Sequence, residues 1–273
     1  MAWMTVELTF DQFIKTVCPQ RNLDWRKYRR ASRRKVLARI HELGLSGFSD
    51  YAEYLNRNPG EASALPNLLR VTVSRFFREK ETWQDLATTV LPLLFFRRAT
   101  SGKILRVLSI GCCNGEEPYS LALLWKAGLE AQFPENRISI TALDVDPDCL
   151  RRARKAVYAR KTLREVPPEL RESWFEPLRE GYRLNPVVSR LVDFKLLDLL
   201  SDPIPGGQDL ILCRYLVFTY YHGELQRKTV NKITQALNPG GILILGDKEK
   251  PGPETRSVIV PVSGAKNSYI AVN

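Results

Sequence analysis

Apolar residues change their spacing near residue 100. Before that point they recur at helical intervals. Phe10, Phe13, Ile14 and Val17 share one helical face, and Val36, Leu37, Ile40 and Leu43 form the apolar side of a helix predicted over 28–43. Gly44 can end that helix in a left-handed turn. A short helix is predicted over 50–56, closed by Asn58-Pro59-Gly60, with further helical segments over 65–73 and 81–94. Beyond residue 103 short apolar runs alternate with amphipathic stretches. Strands are predicted over 105–110, 138–143, 191–194, 210–213, 242–245, 257–262 and 269–272, and helices over 117–126, 147–157 and 224–237. Alternation of this kind predicts a mainly parallel sheet covered by helices. The last two strands are joined by Ser263-Gly264 with no helix between them, so they should pair antiparallel. The polar stretch 97–103, with Ser101-Gly102, marks the predicted boundary between an all-helical domain over 1–98 and an α/β domain over 99–273.

Composition narrows the partners. Apolar residues make up 44% and charged residues 26%, as in ordinary globular chains. Formal net charge is +11, which favours an acidic partner: nucleic acid, an anionic membrane or an acidic protein face. Eight Lys and Arg residues (Arg26, Lys27, Arg29, Arg30, Arg33, Arg34, Lys35 and Arg39) concentrate on one predicted helix. With no recognised nucleic-acid motif beside that helix, an acidic protein is the better reading. No apolar run reaches transmembrane length, so membrane insertion is not expected. The five cysteines are odd in number and lack C-x-x-C spacing, which predicts reduced thiols and no metal site. With Glu7 and Asp11 near the start there is no signal-peptide pattern, and a cytoplasmic protein is expected.

The candidate chemistry lies at residues 109–120, Ser-Ile-Gly-Cys-Cys-Asn-Gly-Glu-Glu-Pro-Tyr-Ser. A strand, a glycine-punctuated turn and a helix open a nucleotide-binding α/β unit. Gly111 and Gly115 allow the sharp turn and close approach of a ligand. Glu116 and Glu117 then suit a helix N-terminus but repel phosphate. A dinucleotide fits poorly. S-adenosylmethionine, with a sulfonium and an ammonium, fits better. The next predicted strand ends in Leu143-Asp144-Val145-Asp146, where Asp144 can accept both ribose hydroxyls. Cys112 and Cys113 read as small residues filling the turn. His41 reads as an outer-face residue, and His222 as either a loop cap or a base.

Four blocks together resemble the chemotaxis receptor methyltransferase (CheR) family over nearly the whole chain. They are Thr72-Val-Ser-Arg-Phe-Phe-Arg78-Glu79, Gly115-Glu-Glu-Pro-Tyr-Ser120, Leu143-Asp-Val-Asp146 with Arg152-Ala-Arg154, and Leu210-Ile-Leu-Cys-Arg214. The resemblance implies a class I methyltransferase fold of Rossmann-like type, mainly parallel with an antiparallel last strand, behind an N-terminal helical domain. It implies S-adenosylmethionine as cofactor and transfer of methyl to glutamate side chains of a protein. By resemblance, Arg78 lies near the transferred methyl and the cofactor, Thr72 and Ser74 are polar cofactor contacts, and Glu117 meets the methionine end. Asp144 takes the ribose, Asp198 and Leu199 flank the adenine, Arg214 faces the site, and Tyr220 matches an active-site tyrosine.

The chain departs from the family in three places. Cys213-Arg214-Tyr215 stands where the family reads Cys-Arg-Asn. Phe218-Thr-Tyr-Tyr221 replaces Ile-Tyr-Phe with one extra residue. The stretch 176–186 is short where members that tether to a receptor tail carry a glycine-rich loop, which favours a tail-independent enzyme or a different substrate. The other readings are a small-molecule or amine/hydroxyl methyltransferase, which would need a base such as His222, and a non-catalytic module binding cofactor or nucleic acid.

Overall fold

The computed structural model describes residues 7–17, 31–69, 72, 74–98 and 104–272. They form two compact units. One contains the residues before Thr72 together with Thr219–His222, and the other Thr72–Phe218 with Gly223–Asn273.

The first unit is helical, with α1 (Phe10–Val17), α2 (Ala31–Glu42), α3 (Phe48–Arg57) and α4 (Pro59–Leu69). Thr9 and Gln12 open α1 as a reciprocal capping box: the Thr9 N–H donates to Gln12 Oε1 at 2.8 Å and the Gln12 N–H to Thr9 Oγ1 at 3.2 Å. Phe13, Val36 and Tyr51 are fully buried. Leu37, expected on the core side of α2, is instead exposed. Arg39 makes a two-pronged bond to Glu61 of α4, each N···O distance 2.8 Å, and Glu61 also accepts from the Tyr51 hydroxyl at 2.9 Å. Arg39 is thus part of the helical scaffold, whereas Arg33 and Arg34 are exposed. Arg26, Lys27, Arg29 and Arg30 lie outside the described residues.

The second unit holds a seven-stranded sheet and a small three-stranded one. Helix α5 (Lys80–Asp85) runs through a π-turn at 86–90 into α6 (Leu91–Arg98). Then come β1 (Ile104–Ile110), α7 (Glu116–Leu124), a second π-turn at 125–129, α8 (Glu130–Gln132), β2 (Arg137–Asp144) and α9 (Pro147–Lys155). Strands β3 (Val157–Tyr158), β4 (Phe175–Leu178) and β5 (Gly181–Leu184), with α10 (Pro168–Trp174), form the small antiparallel sheet in the order β3-β5-β4. The chain continues through α11 (Pro186–Ser189), β6 (Val192–Leu196), β7 (Gln208–Leu212), α12 (Val217–Tyr220), α13 (Gly223–Ala236), β8 (Leu237–Ile244), β9 (Ile259–Pro261) and β10 (Ser268–Ala271). The large sheet has the order β6-β2-β1-β7-β8-β10-β9. Its first five strands are parallel, and β10 pairs antiparallel with both β8 and β9, as expected from the missing helix.

Residues 72–98, expected in the helical domain, belong to the sheet unit. Phe76, Trp83, Leu91 and Phe95 share one buried cluster with Leu105 and Val107 of β1, and the compact unit begins at Thr72 rather than after residue 98. Ser101-Gly102, expected to mark the boundary, lies outside the described residues. In the segment expected to be helical over 65–73, described α4 reaches Leu69 and Thr72 is not helical, while residues 70, 71 and 73 lie outside the described residues. Phe76 and Phe77 anchor the following stretch as their apolarity predicts. Phe76 meets Tyr158 and Phe175 edge-on, with centroids 4.8 and 5.3 Å apart, and the Phe77 N–H donates to Ser120 Oγ at 2.9 Å.

Candidate active site

Leaving β1, the chain builds outward through β2 and β6 and then returns to place β7 on the other side of β1. The carboxyl ends of β1 and β7 are therefore the switch point of the sheet, where ligands bind in open α/β folds. The turn after β1 is tied to β2, since the N–H groups of Gly111 and Cys112 both donate to the Leu143 carbonyl, at 2.8 and 3.0 Å. Gly115 closes the turn at φ +88, and a Cβ there would come within 3.0–3.1 Å of Ala153, Phe194 and Tyr119. Backbone and space both demand glycine.

Asp144 ends β2 half-buried. Its Oδ2 accepts from the Cys113 N–H at 2.8 Å and its Oδ1 from the Asp146 N–H at 2.9 Å. Two backbone donors on an ionised acid orient it firmly. Asp146 caps α9 by accepting from the N–H groups of Asp148 and Cys149. The neighbouring thiols of Cys112 and Cys113 are pushed well above the usual range by burial. Thiols raised in this way favour small fillers of the turn over reactive nucleophiles.

Arg214, just past β7, is the hub of a buried polar network. Its side chain is only 3% exposed. One terminal nitrogen donates to Glu117 Oε2 at 3.2 Å, and the other to the Arg78 carbonyl at 2.6 Å and Glu79 Oε2 at 2.7 Å. Glu117 also accepts from Ser109 Oγ at 2.9 Å. Burial raises the Glu117 carboxyl above the ordinary range, with Arg214, Ser109 and Arg78 pulling it back. Glu116 is likewise raised by burial, opposed by its bonds to Ser74 and Asn114. Glu116 Oε2 and Arg214 Nε are buried with no hydrogen-bond partner among the described residues.

Arg78 is half-buried, and its guanidinium carbon lies 4.0 Å from the ring centroid of Tyr215. Its carbonyl also accepts from the Trp83 indole N–H at 2.8 Å. The structure thus brings together Arg78, Glu117 and Arg214 of the sequence-predicted residues, beside Gly111, Gly115 and Asp144 on the same strand ends. Thr72 and Ser74 are half-buried at the start of the unit. Asp198 follows β6, where its Oδ1 accepts from the Leu200 N–H at 2.9 Å, and Leu199 is buried with its carbonyl accepting from Lys232 Nζ at 2.8 Å. Tyr220 is half-buried, His222 is exposed, and both group with the helical unit. Sequence reasoning missed Glu79, Ser109, Gly246 and Glu249. Glu79 stood next to Arg78 in a quoted block, so its position was the signal. Glu249, in Asp-Lys-Glu-Lys, resembled any exposed loop.

A family model described as CheR methyltransferase, SAM binding domain, matches residues 72–260, starting where the compact sheet unit starts. Fold and match define an S-adenosylmethionine-dependent methyltransferase. The chain is 34% identical over 226 residues to a probable chemotaxis protein methyltransferase of Rhizobium etli, covering 80% of this chain and 83% of that one. It is 30% identical over 246 residues to a chemotaxis protein methyltransferase of Listeria monocytogenes, covering 90% and 91%. It is also 34% identical over 222 residues to the probable biofilm formation methyltransferase WspC of Pseudomonas aeruginosa, covering 79% of this chain and 50% of that one. The chain belongs to the CheR methyltransferase family. Its cofactor is S-adenosylmethionine, and the donor set fits. Acids gather at the mouth of α7 and the end of β2, and the unpartnered Glu116 Oε2 suits a cationic ligand rather than a phosphate.

Proposed function

We propose that this chain methylates glutamate carboxylates of an acidic, receptor-type protein. When bound, the cofactor would supply an electrophilic methyl on sulfur, and transfer would break the C–S bond as a C–O bond to the carboxylate forms. The products are a methyl ester and S-adenosylhomocysteine, and no proton moves. The observation carrying this reading is the state of the acids beside Arg78. Glu117 and Glu79 are both committed to Arg214, so neither is poised as a base. A carboxylate acceptor, ionised at neutral pH with an ordinary pKa near ~4.3, needs alignment more than deprotonation. The relatives named chemotaxis protein methyltransferases support the same choice.

In this reading Asp144 holds the ribose, and Asp198 and Leu199 flank the adenine. Glu117 meets the cationic methionine end, with Thr72 and Ser74 as further polar contacts at the turn formed by Gly111 and Gly115. Arg214 braces Glu117 and the Arg78 backbone, and Arg78 aligns the acceptor. Supplied with labelled S-adenosylmethionine and receptor-containing membranes, the enzyme should produce label released as methanol by mild alkali. Alkali-stable label would instead mark an amine acceptor and overturn the assignment.

The exposed Arg33 and Arg34 of α2 support recruitment of an acidic partner. Replacing both by serine should raise KM for the protein substrate roughly threefold to tenfold at low salt. The difference should vanish at high salt, because exposed charges are screened beyond about 10 Å at 0.1 M. Titration with S-adenosylhomocysteine should be unaffected. A salt profile identical to that of the unmodified enzyme would make α2 a solvated face only.

A further inference from the structure

We propose that Tyr215 is a positioning residue for Arg78, that Gly246 is its seat, and that this pair sets the guanidinium's orientation for methyl transfer. The proposal rests on Arg78 acting in the site. Tyr215 sits at φ 56, a left-handed conformation unfavourable for a bulky side chain and kept only where the surroundings enforce it. Three contacts do so. The Tyr215 N–H donates to Glu249 Oε2 at 2.7 Å, and the same oxygen accepts from the Gly246 N–H at 2.9 Å. Glu249 is only 4% exposed, so a buried carboxylate pins the two backbones together. The ring lies against the Gly246 Cα, where a Cβ would approach its atoms to 2.6–2.9 Å. The phenol hydroxyl donates to Glu79 Oε1, while Glu79 Oε2 accepts from Arg214 and from the Asp247 N–H.

On the ring so fixed rests the Arg78 guanidinium, at 4.0 Å, well inside the distance of about 6 Å at which an aromatic face attracts a cation. The ring thereby supplies a flat platform for a planar fork. Glu79 links that platform to Arg214 and through it to Glu117. The geometry assigns Tyr215 the task of holding the Arg78 guanidinium in one plane, and assigns Gly246 the absence of a side chain that would lift the ring away.

The test uses Y215F, Y215N, G246A and Y215N/G246A in the full-length chain, each checked for folding by its melting profile. Isotope-labelled arginine reports position, because a guanidinium stacked on a ring shows an upfield ring-current shift of its Nε–Hε signal. That shift, assigned by its disappearance in R78A, should persist in Y215F and be lost in Y215N and G246A. Turnover with labelled S-adenosylmethionine and receptor membranes should fall about tenfold in Y215N and G246A, the scale of one cation–π contact. Affinity for S-adenosylhomocysteine should change less than about threefold, since the stack orients a side chain rather than a cofactor contact. G246A should add nothing in the Y215N background, where the ring it displaces is gone. An unmoved Arg78 signal in G246A and Y215N, or losses that multiply in the double variant, would refute the seat. Wild-type turnover in R78A, with the signal still responding to ring removal, would refute the placement of Arg78 in the site.

Discussion

Replacing Asp144 with alanine should weaken S-adenosylmethionine binding by about a hundredfold or more. A ribose diol on an ionised acid makes two charge-assisted hydrogen bonds, each worth roughly 1.5–3 kcal/mol, and every ~1.4 kcal/mol is tenfold in affinity. The same carboxylate also receives the N–H groups of Cys113 and Asp146. Its loss therefore slackens the turn after β1 as well as removing the acceptor. D144N, which keeps one acceptor oxygen and the side-chain shape, should fall between the two. Titration calorimetry with S-adenosylhomocysteine measures the effect, and a thermal melt separates it from unfolding. Affinity close to that of the unmodified chain in D144A would remove Asp144 from the ribose site.

R214M should destabilise the fold by about 3–5 kcal/mol, the usual cost of deleting one partner from a buried ion pair. Methionine fills similar space but leaves Glu117 and Glu79 without their shared cation. It also leaves the Arg78 carbonyl without one of its two donors. Because burial already opposes ionisation of Glu117, the variant should protonate that acid instead of tolerating a bare charge. Adding E117Q to R214M should recover part of the loss, as the glutamine needs no cation. Urea denaturation of the four combinations gives the coupling directly. Additive losses would show that Arg214 and Glu117 do not act as a pair.

The sheet was legible because its strands are short apolar runs between helix signals, and the turn after β1 carries glycines and acids that few other structures require. Strand β8 was half-legible. It begins at Leu237-Asn-Pro-Gly-Gly, residues that ordinarily announce a turn, and it pairs with β7 across a bulge between Gln208 and Leu210. The β3-β5-β4 sheet was not legible. Its strands are two to four residues long and carry Glu176, Pro177 and Arg183, so no alternation develops. The domain boundary was misplaced because a polar Ser-Gly connection resembles a linker whether or not the chain on both sides shares one core. At the site, Arg78 and Asp144 stood out as candidates because motif residues flank them. The ties from Glu79 to Arg214 and from Glu249 to Tyr215 did not. Each joins segments far apart in sequence, and a lone glutamate in a charged loop carries no pattern.

Arg214 has a consequence for the order in which the chain folds. Its partners lie 97, 135 and 136 residues earlier, at Glu117, Glu79 and Arg78. Contacts of such separation close large loops and form late, after local helices and turns. The first strand–turn–helix unit can take shape early, with Ser109 and Glu117 already adjacent. Until β7 inserts beside β1, however, Glu117 lacks the cation that offsets its burial, and the Arg78 carbonyl and Glu79 lack the donor that joins them to it. Closure of this buried network is thereby tied to completion of the central sheet, and a nascent chain that has not yet delivered Arg214 carries the motif without it.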